Sequence, residues 1–545
     1  MRQHPSGLPF LFLTEMWERF GYYLMIGIFV LYMTDAERGG LALDRSHASD
    51  IFGTFIALVY LTPFIGGLLA DKVLGYRLSI IIGGVLMGVG YLLLAIPNNF
   101  VSFYASLGIM ILGNGFFKPN ISVLLGNLYN DERYRHLKDT GYNIFYMGIN
   151  VGAFICNFFA AWLRWNVGWG AAFMAAGADM FIGVGVFLLG MRHYAHADVR
   201  KAAVPGEAGV AQVLSSVLLP AVLTGIGGWM IPGNIFGTDS TDAFLFGSLP
   251  VIGFYLWTLH KASDTDKPRI RALLAVYSVV IIFWAIFKQN GTALTTWAEF
   301  YTDRDMPSLI EQPAQTLRMA QMVSTDTALF TKYDAQFRTQ RNEKGEIIKV
   351  QTINPYFNNV PEAERPPKGE QTALISTELY QSVNPFFVVI LTPLVIWFFG
   401  WLRHRGKEPS TPTKIWWGLV ISALSTLVTI WAVYACHNGA VKASAGWLIA
   451  AYGVITVGEL CLSPMGLSMV SKMSPRHITG LMMGGWQLAT SLGNKLSGVL
   501  ATMWDRYDNK ADFFWVNFVL LAAASAAMLL MLRWLNRIFK EQGLQ

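Results

Sequence analysis

Residues 8–33 read LPFLFLTEMWERFGYYLMIGIFVLYM, an apolar stretch interrupted by Glu15, Glu18 and Arg19. A helix of about 20 residues crosses a hydrocarbon core about 30 Å thick. Charged side chains inside such a helix cost at least about 2.5 kcal/mol each, so they mark a polar site inside the protein. Because residues three and four positions apart share a helix face, these three charges form one cluster. The stretch is too long and too charged for a cleavable signal peptide.

The rest of the chain has the composition of a membrane protein. Of its 545 residues, 53% are hydrophobic and only 14% are charged, whereas soluble domains carry about 25% charged residues. Apolar stretches long enough to span a bilayer recur from end to end. The formal charge of +6 fits positively charged cytoplasmic loops and gives no reason to expect nucleic-acid binding. The sequence therefore predicts an all-α polytopic protein whose partner is the lipid bilayer.

The hydrophobic runs and their breaks predict fourteen transmembrane helices. Lys and Arg concentrate in alternate loops, which places both termini in the cytoplasm. We expect an N-terminal bundle of six helices in residues 1–191, a linker and a two-helix hairpin in 192–269, and a C-terminal bundle in 270–545. The predicted helices lie at about 8–33, 50–70, 77–96, 100–129, 141–164, 168–191, 213–231, 243–260, 270–301, 376–402, 414–436, 445–473, 478–504 and 511–538.

Two polar stretches interrupt this pattern. Residues 192–212 are a basic linker on the cytoplasmic side. Residues 302–375 are rich in Gln, Asn, Thr, Pro and charge, and lie outside the membrane. The alternation in residues 346–353, after the polar turn 342–345, predicts a small hairpin. A mobile insertion is favoured for this segment over an accessory interaction role.

Further charges fall within the predicted spans, namely Lys118, Lys288 and Glu459, with Asp179 as a weaker candidate. A buried carboxylate that exchanges a cationic partner also changes its affinity for a proton, so such clusters can act as proton switches. Opposite charges on distant helices also suit a zwitterionic ligand, with Lys facing its carboxylate and Glu its ammonium. The alternative is that these charges only pair with each other and hold helices together.

Five segments carry a family resemblance. The first, Glu15 to Tyr23, matches the motif ExxERFxYY. The others, in chain order, are GGLLADKVLG at 66–75, GFFKPN at 115–120, FYMGIN at 145–150 and GELCLSPMGL at 458–467. Together they resemble the proton-coupled oligopeptide transporter family, a branch of the major facilitator superfamily, and the resemblance covers essentially the whole chain.

The resemblance implies two six-helix bundles with an additional helix pair, working by alternating access around a midplane cavity. It implies that Glu15 and Glu18 carry or relay the proton with Arg19 as their partner. Lys118 and Glu459 would form a pair between the bundles that opens and closes during the cycle. The implied substrate-binding residues are Tyr22, Tyr23, Tyr60, Lys118, Asn150, Trp284, Asn384, Glu459, Ser463 and Trp486, and our own hypothesis adds Lys288 to them. A conformational loop resembling that of the wider superfamily would comprise Gly67, Asp71, Lys72 and Arg77.

Two positions depart from the family pattern. Where the family commonly has an Arg and an acidic residue that pair with each other, this chain has Ile26 and Lys288. Removing only one member of such a pair would leave an unpaired buried charge, at a cost of about 3–5 kcal/mol. Our hypothesis is that Lys288 supplies, from the opposite bundle, the positive charge that Ile26 does not. In the rival interpretation, Lys288 only snorkels or pairs with a glutamate of the first helix.

The resulting prediction is a symporter that imports di- and tripeptides with protons, as a monomer in the inner membrane of a bacterium. No cofactor is expected beyond the coupling proton. The departures at Ile26 and Lys288 keep open a symporter of the same fold for another solute, such as a modified peptide, a peptidomimetic or a small organic anion. An intramembrane enzyme is disfavoured because the chain has neither an HExxH motif nor a nucleophile with an adjacent base. A channel or a receptor is the remaining alternative.

Overall fold

The computed structural model describes residues 4–97, 99–134, 137–199, 214–475 and 478–542. Part of the predicted linker 192–212 lies outside these residues. We number the long helices α1 to α14. Their bounds are Leu8–Thr34, Arg45–Leu74, Tyr76–Leu94, Phe100–Leu128, Lys138–Asn166, Trp169–Tyr194, Leu219–Trp229, Asp239–Lys261, Lys267–Phe300, Val383–His404, Thr411–Ala435, Ala445–Met473, Thr479–Thr502 and Lys510–Glu541.

These helices confirm the predicted all-α fold. Every predicted span corresponds to one of these helices, of which α7 has only 11 residues, and most ends differ by a few residues, as hydropathy reasoning allows. Among the described residues, eleven helices are long and apolar enough to cross a membrane by length and composition. The helices outside that set are α1, which carries the charge cluster, the short α7, and α13. The side of the membrane that each loop faces stays a prediction.

The helices pack around separate apolar cores. One buried cluster draws its residues from 8–197, which includes α1 to α6, and Ile26 packs against it. A second cluster draws on α8, α9 and α11 to α14, and a third lies at one end of the helices that follow residue 293. We call α1 to α6 the first bundle and α9 to α14 the second bundle. The hairpin α7 and α8 joins them in sequence.

Successive helices run in alternating directions, so one end of the molecule carries both chain termini and the other carries residues 301–376. We call these ends the terminal face and the insertion face. At the terminal face, Ser6 hydrogen-bonds His193 at the end of α6, and Arg269 at the start of α9 donates to Gln542. These contacts hold both termini against the bundles.

The segment 301–376 has a fold of its own, so the prediction of a mobile insertion is wrong for the part that pairs and packs. It contains two antiparallel ladders, β1 (Gln321–Ser324) with β4 (Gln371–Leu374) and β2 (Ala328–Thr331) with β3 (Lys349–Thr352). A small apolar core forms beneath them.

The hairpin prediction for 346–353 is correct only in part. The turn at 342–345 is closed by a bridge between Arg341 and Ile347, and Gly345 has the positive φ (79°) that such a turn requires. The strand that follows, however, pairs with β2 rather than with the residues just before the turn. Local alternation identified a strand, but the partner was set by tertiary packing.

The insertion contacts both bundles. Lys349 pairs with Glu37 (3.3 Å) and Arg341 pairs with Asp44 (2.7 Å), and both acids lie between α1 and α2. Arg338 pairs with Asp508, in the loop between α13 and α14. The insertion therefore spans the line where the two bundles meet at the insertion face.

Candidate functional site

The charge cluster of α1 is buried inside the first bundle. Glu15, Glu18 and Arg19 are 3%, 0% and 4% exposed. The Arg19 Nε atom lies 2.9 Å from Glu15 Oε1 and 2.7 Å from Glu18 Oε2. The Arg19 guanidinium therefore pairs with both carboxylates, as the helical spacing predicts. The cluster carries one negative charge in excess when both acids are ionised.

Two lysines from opposite bundles face the same aromatic ring. Lys118 Nζ on α4 lies 3.9 Å from the centre of the Tyr60 ring on α2. Lys288 Nζ on α9 lies 5.4 Å from the centre of the same ring. The Lys288 ammonium also approaches the rings of Trp284 (5.8 Å) and Phe287 (5.6 Å). In the described part of the chain, neither lysine forms an ion pair.

Glu459 on α12 lies in the second bundle and has no cationic partner in contact among the residues that the structure describes. Its Oε2 atom accepts a hydrogen bond from Asn384 Nδ2 at 3.2 Å, and the same amide nitrogen donates to Thr456 at 2.9 Å. Glu459 interacts electrostatically with Lys288. The pair between Lys118 and Glu459 that the resemblance implies is open in this structure, because each side chain contacts groups of its own bundle.

Longer-range electrostatic interactions connect these groups. Lys118 interacts with Glu18, Arg19 and Lys288. We call the set Glu15, Glu18, Arg19, Tyr60, Lys118, Lys288, Asn384 and Glu459 the central site. Its charged residues come from α1, α4, α9 and α12, so it lies where the two bundles meet. The charges face the protein interior rather than lipid.

The other residues implied by the resemblance in the first bundle flank this site. The rings of Tyr22 and Tyr23 stack edge to face with centres 5.4 Å apart, and the Arg19 guanidinium lies 5.6 Å from the Tyr22 ring centre. Asn150 on α5 donates to the backbone oxygen of Tyr146 at 2.9 Å.

In the second bundle, two implied side chains have polar atoms that find no hydrogen-bond partner within the described part of the chain. These are the indole nitrogen of Trp284 and the hydroxyl of Ser463. The ring of Trp486 instead packs on Gly466 and lies edge-on to Tyr277, with ring centres 6.1 Å apart. Trp486 therefore contributes to the apolar core of its bundle in this structure.

The residues of the implied conformational loop are helical here: Gly67, Asp71 and Lys72 lie in the last turns of α2, and Arg77 lies in the first turn of α3. Gly67 packs against the Pro119 ring, and the Tyr76 hydroxyl donates to Asp71 at 2.6 Å. Arg77 pairs with Asp198 at 2.8 Å. The loop thereby joins α2, α3 and the segment after α6, while Lys72 also has an interaction partner.

Comparison with known proteins decides the family. The sequence profile of the POT family matches residues 77–323 and 369–516. The chain belongs to the POT family. It is 28% identical to the uncharacterized transporter YclF of Bacillus subtilis over 97% of this chain and 94% of that protein. It is likewise 28% identical to a di-/tripeptide transporter of Lactococcus lactis, over 92% and 89%.

The fold is that of solved POT transporters. A crystal structure of the peptide transporter POT in complex with sulfate superposes with a TM-score of 0.75 at 26% identity, and covers 98% of this chain and 96% of that chain. The family resemblance read from the five motifs is thus confirmed, and the relatives are transporters rather than enzymes.

In this POT family protein the bundles are closed against each other toward the insertion face. Arg164 on α5 pairs with Glu378, just before α10, at 2.9 Å, and both side chains are buried. About two helical turns farther from the insertion face along α5, Asn157 Nδ2 donates to the Ser382 hydroxyl at 3.0 Å. The Arg164 guanidinium also lies 4.5 Å from the ring centre of Trp169.

A second closure joins α2 to α13. Lys495 Nζ lies 2.6 Å from Asp50 Oδ1 and 2.7 Å from the Thr54 hydroxyl. The hairpin helix α8 joins the same cluster, because Ser240 donates to Asp50. Beside it the helix backbones meet at Gly53, where an added Cβ would lie 2.6 Å from the Gly498 Cα atom. We call the set Asp50, Gly53, Asn157, Arg164, Glu378, Ser382, Lys495 and Gly498 the seal.

Sequence reasoning missed the acids and bases of the seal. Lys495 lies inside a predicted span, and Asp50 stands at the first residue of another, so the same cost argument that selected Glu459 applies to them. Arg164 and Glu378 stand at helix ends, where a charge needs no explanation. Asp179, the weaker candidate, is buried in α6, and one of its carboxylate oxygens has no hydrogen-bond partner in the described ranges of the chain.

Proposed function

We propose that this protein is a proton-coupled symporter that imports di- and tripeptides by alternating access. The observation that carries the proposal is the buried trio of α1, in which Arg19 serves both Glu15 and Glu18. The naming of a Lactococcus lactis relative as a di-/tripeptide transporter supports the peptide as substrate. The bacterial relatives support a location in a bacterial inner membrane, where the protein would act as a monomer.

The charge of the trio provides a coupling mechanism. A proton on either Glu15 or Glu18 leaves one carboxylate and one guanidinium, which is a neutral buried pair. When the proton leaves, the second carboxylate needs another cation, and Lys118 is the cation that interacts with Glu18. Proton release thus draws Lys118 toward α1 and away from a bound substrate carboxylate.

The second bundle provides the other end of a peptide site. Glu459 and Asn384 are placed to receive a peptide ammonium, while Lys118 on the first bundle receives the carboxylate. A peptide held at both ends spans the two bundles, so its binding depends on their relative position. Opening of the seal would expose the same site to the insertion face.

Counterflow and gradient-driven uptake in liposomes test the coupling role of Glu18. Counterflow exchanges labelled for unlabelled peptide without a driving gradient, whereas accumulation after an acid-outside step requires coupling. For Glu18→Gln, which mimics the protonated acid, we expect exchange of labelled Ala-Ala to persist and pH-driven accumulation to fall to background. Glu343→Gln, in the exposed turn of the insertion, is the matched control and should keep both activities.

Retention of pH-driven accumulation in Glu18→Gln would contradict the proposed coupling. The peptide assignment is tested separately by adding unlabelled dipeptides to the wild-type protein. A symporter for another solute would show neither accumulation of labelled Ala-Ala nor its competition by unlabelled dipeptides.

A further inference from the structure

Among the described residues, the lysines of the central site lack a counter-charge in contact such as Asp50 provides for Lys495. Lys118 and Lys288 are half-buried at mid-membrane positions of α4 and α9, and among the described residues neither forms an ion pair. By contrast, Lys495 on α13 is buried, and its Nζ atom lies 2.6 Å from Asp50 Oδ1.

The aromatic ring between the lysines does not replace an anion. A cation–π contact is much weaker than the cost of removing an ammonium group from water. Two ammonium groups that face one Tyr60 ring also repel each other. An anionic ligand that contacts both lysines would offset the cost of desolvation and the repulsion between the two ammonium groups. Because the lysines belong to opposite bundles, such a ligand would also bridge the bundles.

The charge balance of the site indicates how much negative charge the ligand brings. Arg19, Lys118 and Lys288 balance Glu15, Glu18 and Glu459 when all are ionised. A zwitterionic peptide that enters with one proton leaves a net charge of +1 between the bundles. A peptide with one additional carboxylate that enters with one proton leaves no net charge between the bundles. Net charge in a medium of low dielectric is unfavourable, so the second case is preferred.

We propose that the site prefers peptides whose C-terminal residue is Asp or Glu. The two carboxylates of that residue bind Lys118 and Lys288, while the amino end of the peptide lies toward Glu459 and Asn384. An acidic residue at the N-terminal end would instead bring its side chain toward the Glu459 carboxylate. The inference rests on the proposed peptide symport, since it names the substrate class of the same site.

Binding of dipeptides to the purified protein in nanodiscs tests this preference without any gradient. Isothermal titration calorimetry at pH 7 would compare Ala-Glu with its neutral isostere Ala-Gln and with the reversed peptide Glu-Ala. We expect the wild type to bind Ala-Glu about tenfold more tightly than Ala-Gln, which corresponds to about 1.4 kcal/mol. Glu-Ala should show no such advantage over Gln-Ala.

The Lys288 variants assign the preference to this side chain. In Lys288→Met the ratio of the Ala-Gln to the Ala-Glu dissociation constant should fall to about 1–2, and in Lys288→Arg it should stay near the wild-type value. Because both dissociation constants are measured on the same variant, a general loss of affinity cancels in their ratio. Lys349→Met removes a lysine of the insertion and serves as the control that leaves the ratio unchanged.

Equal binding of Ala-Glu and Ala-Gln by the wild type would overturn the proposal, as would an unchanged ratio in Lys288→Met. Absence of binding by every dipeptide would overturn the proposal together with peptide transport. If the peptides bind with the expected ratio but an acid-outside step drives no accumulation, the proposed coupling fails and the preference stands.

Discussion

The central site and the seal contain the same kinds of charge in opposite states of pairing. In the seal, each ion spans the bundles to a partner, as Arg164 does to Glu378 and Lys495 to Asp50. In the central site, by contrast, Lys118, Lys288 and Glu459 have no ionic partner in contact, as far as the described residues show. The two regions adjoin along α2, which contributes Tyr60 to the central site and Asp50 to the seal.

The difference separates charges that hold a conformation from charges that bind a ligand. A buried ion with its partner in place is strongly destabilised when that partner is lost. A buried ion without a partner has already incurred the cost of desolvation, and a ligand of opposite charge reduces it. The α1 trio is intermediate, since its two acids share one cation and a proton completes the balance.

The largest effect is expected from breaking the pair in the seal. Lys495→Met leaves Asp50 buried and unpaired, and should lower the free energy of unfolding by about 3–5 kcal/mol. Adding Asp50→Asn to that variant should recover part of the loss, because no unpaired charge remains. The unfolding temperature of the purified protein in detergent measures both. Lys288→Met, which breaks no ion pair among the residues that the structure describes, is the matched comparison and should leave that temperature within a few degrees of wild type or raise it.

If Lys288→Met lowered the unfolding temperature as much as Lys495→Met does, the contrast between paired and unpaired charges would be wrong.

A smaller effect is expected at the glycine contact of the seal. Gly53→Ala places a Cβ 2.6 Å from the Gly498 Cα atom, a backbone contact that cannot yield without separating α2 from α13. Overpacking of this kind costs about 1–3 kcal/mol, so the open state should gain roughly tenfold in population. The readout is the alkylation rate of Ser382→Cys by a membrane-impermeant reagent, because Ser382 is buried in the closed seal.

The three native cysteines are buried and provide a low background for this measurement. Gly185→Ala, where an added Cβ meets nothing within 4 Å, is the control. Equal alkylation rates in the two glycine variants would show that the Gly53 contact does not govern closure.

The smallest effect is expected from a lysine near the seal that has a hydrogen bond but no ion pair among the described residues. Lys442, between α11 and α12, donates to the backbone oxygen of Phe300 and lies 4.2 Å from the Tyr356 ring centre. Burial, and next the nearby Arg304, lower its pKa to about 7. Above that pH the folded protein holds fewer protons than the unfolded chain, so stability rises as pH increases.

We expect the free energy of unfolding to increase by about 1 kcal/mol from roughly pH 6 to pH 8 through this residue. Lys442→Met should remove that part of the pH dependence, which unfolding temperatures across the range would show. A pH dependence identical to wild type in Lys442→Met would contradict the assignment.

Much of the fold could be predicted from the sequence because hydropathy and helix periodicity are local. Residues 8–33 and the spans that follow are apolar over the length that a bilayer requires, and the helices begin and end close to the predicted residues. The α1 trio could also be predicted, since the spacing of Glu15, Glu18 and Arg19 places them on one helix face.

The seal could not be predicted, because its partners are far apart in sequence. Asp50 and Lys495 are separated by 445 positions, and Arg164 and Glu378 by 214. Lys495 and Asp50 stand in predicted spans as charges that need a partner, but nothing in their own segments identifies that partner. The fold of the insertion escaped prediction for the same reason, since β3 pairs with β2 across an intervening loop.

The sequence by itself determined which segments enter the membrane, which charges are buried with them, and to which family the chain belongs. Composition, spacing and motifs carry that information along the chain. Tertiary structure alone decided which of the buried charges are paired. Pairing depends on which helices meet and at what height, and that is set by packing contacts such as the one between Gly53 and Gly498, which local sequence does not encode.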